Sequence, residues 1–150
     1  MTLVIGIGNA DRGDDAAGLA VARRVRAATS PRDVTVAELI GDQLGLLDVW
    51  DGVKDVYVID AICSGAAPGT IYRFDAAQLL AARFRHRGTH TLSLADVIEL
   101  ARALGRLPAH LAGYGIEGAA FELGAGLSPE AEAAVEAVTS RLLAELKAGV

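Results

Sequence analysis

The chain has 150 residues, 52% apolar and 22% charged, with a net charge of −5. That balance excludes a disordered chain and suits one domain over residues 1–150, its core filled by Ala, Val and Leu because aromatics are only 5%. The acidic balance argues against nucleic-acid or anionic-membrane partners, which need basic patches. No apolar run approaches the ~18 uncharged residues of a membrane span, and the single cysteine, Cys63, excludes an intrachain disulfide and fits the reducing cytoplasm.

Leu3-Val4-Ile5-Gly6-Ile7 is a continuous apolar run ending at Gly8-Asn9. It has no basic leader and reads as a buried first strand, not a signal peptide. Asp14-Asp15 then precede a helix with Ala17, Ala20, Val21 and Val25 on one face and Arg23, Arg24 and Arg26 on the other. Pro31 marks a turn, and Val34 to Leu39 form a second strand. Leu44, Leu47 and Trp50 give a short amphipathic helix. Val56 to Ile59 is a third strand, closed by Asp60.

Pro68-Gly69 makes a turn before a fourth strand, Thr70 to Phe74. Asp75 caps a short helix through Leu80, and Ser93 opens another, with Asp96 at capping-box spacing. Leu111 to Ile116 is the fifth strand. Ser128-Pro129-Glu130 starts the last helix, whose apolar face is Ala134, Val135, Val138, Leu142 and Leu146. Strands separated by helices predict a mostly parallel, five-stranded twisted sheet inside a three-layer αβα sandwich. The short turn between strands three and four predicts one antiparallel pair.

Sites in such sheets form beyond the carboxyl ends of the strands. Asp15 follows strand one, Asp60 closes strand three, and the loop Thr89-His90-Thr91 precedes the helix at Ser93. These three side chains can converge on one edge. Two carboxylates and an imidazole suit a borderline divalent ion such as nickel or zinc, with positions left open for a substrate. Each has a plainer reading. Asp14 or Asp15 can cap the helix, and capping by Asp14 is compatible with ligation by Asp15. Asp60 can bond loop amides, and His90 can be an ordinary loop histidine. Glu117, at the end of strand five, can reach the crevice or bond to a loop.

Gly6-Ile7-Gly8-Asn9 resembles the start of a phosphate-binding turn, but the full G-x-G-x-x-G is missing and two aspartates stand where a pyrophosphate would lie. Cys63 with His90 as base is the pattern of a cysteine hydrolase, set against a part-buried, inert thiol. Ser64 lacks a nucleophile-elbow context. His86, among Arg83, Arg85 and Arg87, reads as part of a solvated basic face, and His110 as structural.

Several segments, in order, resemble the hydrogenase maturation endopeptidases. They are Gly6-Ile7-Gly8-Asn9, and Asp14-Asp15 with Gly18. Next come Val58-Ile59-Asp60-Ala61 followed by Ala67-Pro68-Gly69-Thr70, then Thr89-His90 followed by Leu92-Ser93-Leu94-Ala95. Last are Gly115-Ile116-Glu117 and Leu127-Ser128-Pro129. The resemblance spans essentially the whole chain. It implies an endopeptidase that removes the C-terminal extension of a nickel-loaded [NiFe]-hydrogenase large-subunit precursor. It also implies that Asp15, Asp60 and His90 bind the client's nickel and serve in catalysis. The nickel comes with the client, no organic cofactor is needed, and the enzyme is expected to be a cytoplasmic monomer.

The first ligand is often Glu in that family; Asp15 is one methylene shorter, which displaces the metal without abolishing ligation. Some members carry an acidic residue before a glycine pair, linked to cleavage. Here Ile40 precedes a single Gly41, so Asp42 or Glu38 is the candidate for that role. The rival readings are a non-catalytic nickel- or client-checking maturation factor, a Cys63-dependent hydrolase, and a nucleotide-binding module.

Overall fold

The computed structural model describes residues 1–41, 43–78 and 94–149. Its strands are β1 (Thr2–Ile7), β2 (Val34–Leu39), β3 (Asp55–Ile62), β4 (Ile71–Asp75) and β5 (His110–Glu117). Its helices are α1 (Ala17–Ala28), α2 (Leu46–Val49), α3 (Leu94–Ala103) and α4 (Pro129–Ala148), with 3-10 turns at Gly13–Ala16 and Gln43–Gly45. Among the described residues no helix is long and apolar enough to cross a membrane.

The sheet runs β2-β1-β3-β5-β4. β1 pairs in parallel with β2 and β3, and β3 with β5; β4 lies antiparallel to β5. The antiparallel pair expected from the sequence therefore forms with β5 and not across the turn with β3. Both edges of β3 are taken by parallel neighbours, so the chain crosses β5 before it turns back.

Alternation along the strands divides the core into two layers. Leu3, Ile5, Ile7, Val56 and Val58 face Leu46, Leu47 and Trp50 near α2 and Leu94, Val97, Ile98 and Ala101 of α3. On the other face Val4, Val34, Ile59, Tyr114 and Ile116 meet Ala17, Val21 and Val25 of α1 and Ala134, Val135, Val138 and Leu142 of α4. Leu146 packs against this second layer only partly buried. The three layers are those the alternation of strand and helix predicted.

Helix starts follow local chemistry. Ser128 accepts a hydrogen bond from the Ala131 amide at 3.2 Å, Pro129 stands in the first turn, and Glu130 and Glu132 suit the helix dipole there. Asp75 and Gln78 cap residues 76–78 reciprocally: the Gln78 amide donates to Asp75 Oδ1 at 2.8 Å and the Asp75 amide to Gln78 Oε1 at 3.0 Å. The remainder of that helix, through Leu80, and the Ser93 cap lie outside the described residues.

Two glycines place α1 against the sheet. A Cβ on Gly18 would stand 2.3 Å from the Ile59 carbonyl oxygen and 2.5 Å from that of Ile7. One on Gly6 would stand 2.5 Å from the Gly18 oxygen. Only glycine admits such an approach of helix backbone to strand backbone.

Candidate active site

At the carboxyl end of the sheet, β1 runs into a tight turn. Asn9 Oδ1 accepts from the Asp11 amide at 2.9 Å, and the Arg12 amide donates to the Asn9 carbonyl at 3.2 Å. The 3-10 turn Gly13–Ala16 follows and leads into α1. Its position is fixed at two points. A Cβ on Gly8 would fall 1.9 Å from the Asp15 carbonyl oxygen, and Gly18, three residues after Asp15, presses on Ile59. The segment carrying half-buried Asp15 thus rests on the ends of β1 and β3, beside the residue that follows Ile59, which is Asp60.

Asp60 is 5% exposed. β3 continues past it through Ile62, and its main chain pairs in register with Gly115. A carboxylate this deep needs hydrogen-bond donors or a cation. Gln43 supplies one donor: its Nε2 gives a hydrogen bond to Asp60 Oδ2 at 3.0 Å. Gln43 is itself 6% exposed. It stands in the 3-10 turn after β2 and reaches across the end of β1 to β3. Nothing local in the sequence marks Gln43, since a glutamine at a turn looks the same as one that reaches across a strand to another.

Asp14 and Asp15 have different surroundings. Neither 3-10 turn nor helix receives a side-chain cap here, so the alternative that Asp14 or Asp15 caps the helix is not what forms. Asp14 is fully buried, and its carboxylate accepts from the amides of Ala119 (2.7 Å), Ala120 (3.3 Å) and Ser128 (2.7 Å) and from Ser128 Oγ (2.7 Å). It clamps the segment between β5 and α4 to the turn that carries Asp15. Burial by itself raises the Asp14 pKa, but the hydrogen bonds from Ser128, Ala119 and Ala120 outweigh it and hold the carboxyl below its usual value.

Glu117 settles on the loop side of its two readings. It is 2% exposed and accepts from the Ser64 amide at 3.0 Å and from Ser64 Oγ. Its own main chain bonds Gly69 and Thr70, which fastens residues 63–70 over the end of β5 on the way to β4. Ser64 is committed to this anchor, while Cys63 beside it is a free, half-buried thiol. Glu38 is engaged on the surface by Arg23 Nε and Arg26 Nη1, each at 2.9 Å, and these hydrogen bonds lower its pKa. His110 begins β5, at the opposite end of the sheet from Asp60.

The structure therefore brings the Asp15 turn and Asp60 to the same sheet end and binds Glu38 to the arginines of α1. His90, the third candidate ligand, and Asp42 lie outside the described residues, as do His86 and its arginine neighbours. Among the described residues no three His, Cys, Asp or Glu side chains gather into a group able to hold a metal. What is in place is a buried carboxylate, Asp60, hydrogen-bonded by Gln43, at the same end of the sheet as the turn that carries Asp15.

Residues 20–145 match the family model described as hydrogenase maturation protease. The hydrogenase 2 maturation protease of Escherichia coli (strain K12) is 30% identical over 148 residues, which cover 97% of this chain and 90% of that protein. Among solved structures, the hydrogenase maturating endopeptidase HybD from E. coli superposes with a TM-score of 0.82 at 29% identity, over 99% of this chain and 93% of that one. The [NiFe] hydrogenase maturation protease HybD from Thermococcus kodakarensis shares the fold, with a TM-score of 0.76 at 24% identity over 97% of this chain and 98% of that one. With the match spanning most of the chain, and with Gly6, Gly18 and Asp60 packed at the sheet end where a site is expected, the chain belongs to the hydrogenase maturation protease family and is a peptidase.

Proposed function

We propose that this peptidase removes the C-terminal extension of a nickel-loaded [NiFe]-hydrogenase large-subunit precursor, and that Asp15, Asp60 and His90 complete the coordination of the client's nickel. One observation carries the reading. The turn bearing Asp15 is held by Gly8 and Gly18 against the ends of β1 and β3, and β3 is the strand in which Asp60 is buried. Nickel belongs to the substrate here, so the metal serves as the mark of a finished client. A site of two carboxylates and one imidazole leaves coordination positions for the client's own ligands. Water attack on the scissile peptide is then assisted by the polarising metal, or by a carboxylate acting as base beside it. Asp42 is the remaining acidic candidate for that second role, since Glu38 is paired with Arg23 and Arg26.

The chain works in this reading as one peptidase domain and a monomer, in a reducing cytoplasm that suits its free Cys63. The test is substitution of each ligand in turn. Asp15→Ala, Asp60→Ala and His90→Ala should each abolish trimming of nickel-loaded precursor while circular dichroism shows the fold retained. Wild-type trimming by a folded double variant, Asp15→Ala with His90→Ala, would reject the ligand set.

A further inference from the structure

Gln43 is an expensive residue to bury. Glutamine is mostly exposed in folded proteins, yet this one is 6% exposed, and its Oε1 has no hydrogen-bond partner among the described residues. A Leu or Met of similar volume would fill the same space without an unsatisfied acceptor, but would take a donor from Asp60. Among the described residues its side chain makes one hydrogen bond, from Nε2 to Asp60 Oδ2 at 3.0 Å. That bond fixes which end of the amide faces the carboxylate, because the opposite flip would set Oε1 against a carboxylate oxygen.

We infer that Gln43 is a positioning residue that orients the Asp60 carboxylate for the client's nickel; this rests on the ligand set proposed above. The chemistry of the donor supports it. A metal-binding carboxylate that is itself hydrogen-bonded is held in one rotation, and such partners govern affinity nearly as strongly as the ligands. A Lys or Arg here would also orient Asp60 but would repel a dication and compete with it for the carboxylate. A neutral amide does the first without the second. The fold makes the reach specific. Gln43 leaves the end of β2, and β1 lies between β2 and β3, so the side chain spans the edge on which Asp15 also sits.

The experiment compares wild type with Gln43→Met, which keeps the volume and removes the donor, and with Gln43→Asn, which keeps the amide but is too short to reach Asp60. Two quantities are read: the melting temperature, and the ratio of affinities for nickel-loaded and nickel-free precursor, measured on ice before trimming proceeds. Both variants should keep wild-type affinity for nickel-free precursor. Both should lose about 10–100-fold of the preference for the nickel-loaded form, the range seen when a ligand's hydrogen-bond partner is removed. Gln43→Met takes a donor from the buried Asp60 carboxylate and should melt below the wild type while remaining folded. In an Asp60→Ala background neither change should lower the preference further.

Wild-type preference in Gln43→Met overturns the inference. If Gln43→Met does not fold, wild-type preference in Gln43→Asn does so. A loss that persists in the Asp60→Ala background also overturns it, since Gln43 would then not act through Asp60. Failure of the underlying reading has a different signature: Asp60→Ala alone would leave the nickel preference intact.

Discussion

Asp14 and Asp15 are adjacent and chemically identical, and they should fail in opposite ways. Asp14 is fully buried and its carboxylate accepts four hydrogen bonds, three from main-chain amides and one from Ser128 Oγ. A hydrogen bond to a charged group contributes about 1.5–3 kcal/mol, and orphaning several buried donors together costs about 3–5 kcal/mol, because each one left desolvated costs about 1–3 kcal/mol. The four bonds share one acceptor and do not add, so the second range applies to Asp14→Ala. Total stability for such a domain is about 5–15 kcal/mol, so the variant should remain folded at low temperature but be strongly weakened. For a chain of this size each kcal/mol lowers the melting temperature by about 2–4 °C, giving a fall of about 6–20 °C. Asp14→Asn should fall by less, since one oxygen still accepts. Asp15→Asn, at a half-buried position, should change stability by less than about 1 kcal/mol while abolishing trimming. Urea titrations followed by circular dichroism, run beside the trimming assay, read both effects. A loss below about 1 kcal/mol for Asp14→Ala would refute the clamp. A fully active Asp15→Asn would refute the division of roles.

Gly18→Ala should destabilise by about 1–3 kcal/mol or prevent folding, because its methyl would meet two strand carbonyls at 2.3 and 2.5 Å; a variant that melts like the wild type would show that α1 can lift off the sheet freely. Stability should decline in acid partly through Glu145. Burial raises its pKa, but hydrogen bonds from Arg73 and Tyr114 and the charges of Arg73 and Arg141 lower it more, to below the ordinary 4.5. A depressed carboxyl contributes stability that is full above the unfolded value and is lost as pH falls through the folded one. Glu145→Gln should therefore flatten the acid limb of the stability curve below about pH 4.5, and an unchanged limb would exclude the contribution. Cys63→Ala should trim precursor at the wild-type rate; loss of activity in a folded variant would instead support a thiol nucleophile.

The sheet was legible because its buried strands are short apolar runs, and the helices because their apolar faces recur at helical spacing. Leu3 to Ile7 and Val56 to Ile59 needed no long-range information. The ends of elements were harder. β3 runs through Ile62, so Asp60 lies inside the strand, because pairing with β5 extends it beyond the apolar run. The partner of β4 depended on which strand edges remained open, a property of the assembled sheet. The same distinction separates the site residues. Asp60 announced itself as a carboxylate after an apolar run. The clamp made by Asp14 joins residues 105 to 114 positions away, and the Gln43 bond to Asp60 spans 17. Neither leaves a local pattern, so a helix cap stood open for Asp14 or Asp15 alike and nothing singled out Gln43.

The most direct test of the account is the intact mass of the large-subunit precursor after incubation with this protein, with nickel present in the precursor or withheld. The account predicts loss of a C-terminal peptide from the nickel-loaded precursor alone. Trimming of both forms would contradict the role of nickel as the recognition mark, and trimming of neither would contradict the assignment of this client.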